Sequence, residues 1–182
     1  MVKYKKTVLY GIKFWDMLDG GRMKKRFNVT GLCIPSIHYM VDTDKKIERL
    51  YRMSISEIFG RFGEEEFRNM ETQCLEKLLE EPKGRIISVG GGLPMRDCNR
   101  ELLKKLGWVV YLRVKPLTVC ERLEADTSRP LLQGEDREEK VRSLLEQRAP
   151  VYESAADIII DVDGKIVDEI ADEILQNIGI AT

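Results

Sequence analysis

Three short runs of nearly unbroken apolar residues constrain this chain most. Residues 85–89, 108–114 and 158–162 carry Ile, Val, Leu, Trp and Tyr at successive positions rather than at every second one. A strand with one face in water alternates, whereas a strand covered on both faces does not. Between these runs the apolar period changes to that of helices. Residues 44–51 and 55–59 read as short helices, the second opened by the capping pattern Ser54-x-x-Glu57. Residues 64–80 read as a longer helix, with Phe67, Met70, Cys74, Leu75, Leu78 and Leu79 on one stripe, stopped by Pro82 and Gly84. Further helices are predicted over 97–106, 116–123, from about 137 to 147, and over 167–178. Residues 37–41 and 6–11 are further candidate strands. Buried strands alternating with helices predict an α/β fold with a parallel sheet flanked by helices. In such sheets ligands sit beyond the carboxyl ends of the strands.

The chain has 182 residues, a length that suits one domain with one core. Its 30 basic and 31 acidic side chains leave a net charge of −1, which excludes broad electrostatic attraction to nucleic acid or anionic lipid. No apolar run reaches the roughly 18 residues needed to span a membrane. The expected protein is a cytoplasmic monomer with small-molecule partners and neither nucleic acid nor membrane. Cys33, Cys74, Cys98 and Cys120 are scattered without a C-x-x-C pair, and His38 is the sole histidine, so a structural zinc site is not expected. The cysteines are expected to be small core residues, and His38 a packed or surface one.

Four features fall where ligands are expected. Val41-Asp42-Thr43-Asp44 sets two carboxylates just after a candidate strand, suited either to magnesium and a hydroxyl or to capping the next helix. Gly90-Gly91-Gly92 follows the strand at 85–89, and lets a ligand approach main-chain N–H groups more closely than a plain turn requires. Arg129, within the polar stretch 125–136, is either a lid arginine facing a phosphoryl group or a solvated side chain. Arg68 and Arg148 are forks that can bind a carboxylate bidentately, or surface charges.

The order of these motifs resembles the shikimate kinase family. The resemblance runs through Val41–Asp44, S-I-x-E-I-F at 54–59, G-E-x-x-F-R-x-x-E at 63–71, Gly90–Gly92, R-P-L-L at 129–132 and R-A-P-x-Y at 148–152. It covers residues 41–182. It implies a P-loop-kinase-like three-layer fold with a lid, and transfer of the γ-phosphate of ATP to the 3-hydroxyl of shikimate in aromatic amino-acid biosynthesis. On that resemblance Asp44 binds shikimate hydroxyls and orients the attacking oxygen, and Arg68 and Arg148 clamp the shikimate carboxylate. Gly90, Gly91 and Gly92 line the ring, Asp42 helps hold Mg2+, and Arg129 closes over the nucleotide. Near residues 161–167 the sequence departs from the family, and Lys165 is the nearest basic substitute at the nucleotide.

The front of the chain departs further. A kinase of this kind opens strand, GxxxxGK[ST], helix, so that N–H groups cradle the phosphates and the lysine reaches them. No GK[ST] occurs in the 182 residues. Lys13, Lys24 and Lys25 lack the spacing that builds the loop. Residues 23–43 are instead similar to the opening of bacterial AAA-like ATPase-domain proteins. Residues 1–40 are therefore expected to be an atypical leader or degenerate first βα unit, and 41–182 the shikimate-kinase-like body of one globular domain. The implied function is an ATP-dependent shikimate kinase-like phosphotransferase with impaired chemistry, the alternative being a non-catalytic shikimate-binding derivative.

Overall fold

The computed structural model describes residues 6–10, 40–81, 86–123 and 137–179. Five strands, β1 (Lys6–Tyr10), β2 (Met40–Asp42), β3 (Ile86–Val89), β4 (Gly107–Arg113) and β5 (Ile158–Asp161), form one sheet in the order β2-β3-β1-β4-β5. Every described pairing is parallel. The opening segment is thus the central strand: Thr7 to Tyr10 pair with Ile86 to Val89 on one side and with Trp108 to Tyr111 on the other. From β1 the chain goes on to β2, beyond β3. From β3 it goes on to β4, beyond β1, in the opposite direction. Neighbouring strands that leave in opposite directions open a crevice at their carboxyl ends, and this sheet has it between β1 and β3.

Among the described residues six α-helices cover the sheet: α1 (Thr43–Tyr51), α2 (Ile55–Glu80), α3 (Asp97–Leu106), α4 (Pro116–Leu123), α5 (Arg137–Ala155) and α6 (Val167–Asn177). The period-two geometry of a strand sends neighbouring side chains to opposite faces. Ile87, Val89, Val109 and Tyr111 accordingly pack with Ile47, Phe67, Leu75, Leu78 and Leu103 under α1, α2 and α3. Ile86, Val110, Leu112, Ile158 and Ile160 pack on the other face with Val119 of α4 and Ile170 and Ile174 of α6. Both faces of β3 and β4 are covered, which explains their unbroken apolar runs. The edge strand β5 instead alternates, with Ile158 and Ile160 buried and Ile159 exposed, contrary to the burial on both faces that its run predicts. At the far edge Arg113 joins Asp161 through Nε–Oδ1 at 2.6 Å and Nη2–Oδ2 at 2.9 Å, across the ends of β4 and β5.

Two helix boundaries carry information. The stretches expected as separate helices at 55–59 and 64–80 lie within α2, which breaks at Gly63 (φ 82°, ψ 171°). Ser54 caps its start as expected, with its hydroxyl accepting from the Glu57 N–H and the Glu57 carboxylate accepting from the Ser54 N–H. The helix expected to end near 147 continues to Ala155, through Pro150. Proline removes one N–H and crowds the preceding turn, so on its own it argues for a stop. Here Tyr152 and Ala155 beyond it are buried in the core, and that apolar burial carries the helix on. Of the cysteines, Cys74 is buried and Cys120 half-buried, but Cys98 is exposed on α3, contrary to the core position expected for it. Cys33 and His38 lie outside the described residues.

Because the φ/ψ of Gly63 is open almost only to glycine, Gly63→Ala is expected to cost on the order of 1–3 kcal/mol of stability. Urea unfolding of the two proteins measures it. An unchanged midpoint would mean that α2 does not need the break.

Candidate functional site

The glycine segment after β3 lies at the crevice end of the sheet and is held from two sides. From one side the hydroxyl of Tyr152, on α5, donates to the Gly91 carbonyl at 2.5 Å. The Tyr152 ring lies against Tyr111 of β4 with centroids 5.2 Å apart, and burial raises its phenol above the usual tyrosine range. Arg148, one turn earlier, sets its positive charge near that phenol and opposes the rise. From the other side Asn99 of α3, fully buried, donates through Nδ2 to the Leu93 carbonyl at 3.0 Å. Its Oδ1 accepts from the Thr72 hydroxyl at 2.8 Å, and that hydroxyl is also 3.0 Å from the Arg68 carbonyl. A buried amide satisfied at both ends thereby ties the loop to the turn of α2 that bears Arg68.

The Arg68 guanidinium returns along the surface of that loop. A Cβ placed on Gly92 would stand 2.6 Å from Arg68 Cζ, so only glycine lets the planar group lie this close to the backbone. Arg68 Nη1 meets Glu71 Oε2 at 2.8 Å and Nη2 meets Glu64 Oε1 at 2.8 Å. The two partners differ in setting: Glu71 is 1% exposed and Glu64 67%. Asp44, in the first turn of α1, completes the group. A Cβ on Gly90 would lie 3.3 Å from Asp44 Oδ1 and 3.7 Å from Glu71 Oε1, so both carboxylates border that glycine. Burial pushes the Glu71 carboxyl up to about 7; the Arg68 pairing opposes this and the Asp44 charge adds to it. Arg96 adds a more distant positive charge while pairing with Glu65 and donating to Asn69 Oδ1 at 2.9 Å.

The structure therefore brings Asp44, Arg68, Gly90, Gly91 and Gly92 together, with Arg148 joined to the loop through Tyr152. Asp42, at the end of β2, accepts from the Lys45 N–H at 3.0 Å and caps α1. Of the two readings offered from sequence, the cap is the one this contact shows, and it uses one carboxylate oxygen. Lys165 is ion-paired with Glu173 of α6. Arg129, the lid stretch and the three lysines of the front segment lie outside the described residues, as do residues 23–39 of the AAA-like resemblance.

Three further members of the site were given no role from sequence: Glu71 and Tyr152 entered only as the closing letters of two motifs, and Asn99 was not singled out. Glu71 had a legible signal: it interrupts the apolar stripe of Phe67, Met70, Cys74 and Leu75 with an acid, three residues after an arginine. A buried acid at that spacing needs a partner, and Arg68 supplies it.

This arrangement offers two arginines, a carboxylate and a glycine-lined backbone surface at the mouth of a parallel sheet. The Shikimate kinase family model matches residues 37–179 of this chain. The chain belongs to the shikimate kinase family. Its relatives named shikimate kinase include those of Thermodesulfovibrio yellowstonii, 43% identical over 75% of this chain and 78% of the relative, and Streptococcus gordonii, 43% identical over 76% and 84%. Among solved structures, shikimate kinase from Acinetobacter baumannii in complex with shikimate is 32% identical, with a TM-score of 0.81 over 97% of this chain and 93% of that one. Shikimate kinases are phosphotransferases, and the kinase fold expected from sequence is the one observed. No helix among the described residues is long and apolar enough to cross a membrane.

The raised Glu71 carboxyl has a sign that can be checked. The folded protein holds its proton up to about pH 7 and the unfolded chain releases it near 4.5, so ionising Glu71 inside the fold is destabilising. Glu71→Gln removes that ionisation. Relative to the native chain, its unfolding free energy should gain about 3 kcal/mol between pH 4.5 and 7.5 and change little on either side. Urea titrations across that range test this; a pH-independent difference would refute the buried, proton-holding carboxylate.

Proposed function

We propose that this chain is an ATP-dependent phosphotransferase acting on the 3-hydroxyl of shikimate, with turnover lowered by the lack of a GxxxxGK[ST] loop. The observation that carries the acceptor assignment is the Arg68 guanidinium laid on the glycine loop beside Asp44, with Arg148 near the Tyr152 phenol that holds the same loop. Arginine forks match a carboxylate, each charge-assisted bond contributing roughly 1.5–3 kcal/mol. A ring bearing one carboxylate and several hydroxyls suits such a surface. The A. baumannii relative, whose solved complex contains shikimate, supports the choice of acceptor.

In this reading Arg68 and Arg148 hold the shikimate carboxylate, and the ring lies on the backbone of Gly90, Gly91 and Gly92. Asp44 accepts hydrogen bonds from the ring hydroxyls, orients the 3-hydroxyl oxygen and takes its proton as that oxygen attacks. Positioning and electrostatics supply nearly all the catalysis in phosphoryl transfer, so the protein needs no covalent step. Arg129 closes over the nucleotide and stabilises the transferring group, and Lys165 provides a basic side chain toward the nucleotide after exchanging its Glu173 partner.

Magnesium fits the residues at the end of β2. The ion needs only one or two protein carboxylates when phosphates and waters complete its shell. Asp42 has a carboxylate there, and the Thr43 hydroxyl beside it is fully buried with no hydrogen-bond partner among the described residues. Asp42 would hold the ion directly or through water. When bound, magnesium neutralises charge on the phosphates.

The second reading, a shikimate-binding protein without turnover, is favoured by one observation: no GK[ST] occurs in the sequence. Losing one preorganised donor to a developing oxyanion costs about 3–4 kcal/mol, or 10²–10³ in rate, and a missing cradle removes several. Residues 1–40 are, on the same reading, a degenerate first βα unit whose strand still completes the sheet. ADP release coupled to a reporter, with shikimate and magnesium-ATP, separates the two. The expected result is turnover above the enzyme-free background, more than 10²-fold below that of a relative with a complete loop, and abolished in Arg68→Ala. Shikimate binding by calorimetry with no ADP release would establish the second reading instead, and no binding of either substrate would sink both.

A further inference from the structure

The Arg68 guanidinium carries two carboxylates already, and one of them cannot leave. Glu64 is exposed and can turn to water, but Glu71 is buried on the same helix, three residues from Arg68. Asp44, on α1, approaches the same side of Gly90 as Glu71, so two carboxylates border one glycine. The cations near them are Arg68 itself and, more distantly, Arg96, which is committed to Glu65. From α5 come the Tyr152 phenol, on the Gly91 carbonyl, and the Arg148 charge near that phenol. A ligand carboxylate that docks on Arg68 therefore adds an anion to a pocket already rich in them. Two close carboxylates in such a place resist being ionised together, and a third makes the double charge costlier still.

We propose that Glu71 is a proton-linked positioning residue: it takes up one proton from water when an acceptor carboxylate binds Arg68, so that the guanidinium is released from one anion as it engages another. The proposal deepens the shikimate-acceptor reading and rests on it. Before binding, ionised Glu71 aims the Arg68 fork at the loop; after binding, neutral Glu71 remains a hydrogen-bonding neighbour without competing for the charge. Since its carboxyl already lies at about 7 in the unliganded protein, the exchange falls in the neutral range. The shikimate carboxylate, with an ordinary carboxyl pKa near 4, is ionised throughout that range and cannot supply the effect. Linkage fixes the sign. A ligand that raises the pKa of Glu71 binds best where Glu71 is already protonated, so affinity falls as pH rises through 7.

Shikimate titration calorimetry on the full chain at pH 7, run in two buffers of different ionisation enthalpy, counts the protons exchanged. The expected result is uptake of about half a proton per shikimate bound, with affinity about three- to tenfold tighter at pH 6 than at pH 8.5. Glu71→Gln, which keeps size and hydrogen bonding, should bind shikimate with no proton uptake and no pH dependence over that range. A merely structural role for Glu71 would lower affinity equally at all pH values, and that result would overturn the proposal. Native binding without proton exchange, or uptake that persists in Glu71→Gln, would overturn it as well while leaving the acceptor reading intact. Absence of any shikimate binding by the native chain at either pH would instead remove the acceptor reading, and this inference with it.

Discussion

The ion pair of Arg68 with buried Glu71, pressed onto the glycine segment after β3, is the contact on which the crevice depends. Taking two charges out of water is unfavourable, and their attraction offsets this only when geometry and further hydrogen bonds are good. Here the geometry is enforced from several directions. The Thr72–Asn99–Leu93 chain fixes the height of the loop against α2, and the Tyr152 phenol fixes it against α5. Gly92 has no side chain, so the guanidinium can lie on the main chain, and Gly90 leaves room for Asp44 and Glu71. The helices, the glycines and the buried amide act together to hold a charged plane over a backbone surface.

That design separates the molecule into two functional sides. The side built on β2, β3, α1, α2 and α5 has the groups proposed to hold a carboxylated, hydroxylated ring. The opposite requirement, a cradle for the phosphates, falls on the segment after β1, where GxxxxGK[ST] is missing. The strand itself is present at the centre of the sheet, paired on both sides, so the fold does not depend on the motif that normally follows it. Stability and phosphate chemistry are thus separable: backbone pairing needs only extended residues, whereas a phosphate loop needs glycines, a lysine and a hydroxyl at fixed spacing.

Much of this architecture was legible in the residues. Continuous apolar runs gave β3 and β4 because burial on both faces leaves a direct compositional mark, and gave β5 as a strand although its edge position leaves Ile159 exposed. Helix α5 was read too short because Pro150 is a local stop signal, while the burial of Tyr152 that overrides it is a tertiary effect. The exposed Cys98 was misjudged for a similar reason: residue type predicts average burial, not which face of α3 a position occupies. At the site, Asp44, Arg68 and the three glycines came from motif order. Tyr152 and Asn99 act through contacts with residues on other elements, and of these only Tyr152 appeared in a motif; Glu71, which pairs with Arg68 on its own helix, left a trace as an acid in an apolar stripe.

The central claim is that the Arg68-backed glycine loop is the surface on which the shikimate ring lies. Amide chemical shifts of the 15N-labelled protein, followed during shikimate titration, test it most directly. The account predicts saturable shifts at the Gly90, Gly91 and Gly92 amides that vanish in Arg68→Ala while the rest of the spectrum of that variant stays folded. Saturable shifts confined to other parts of the molecule, or glycine shifts that persist without the arginine, would contradict it.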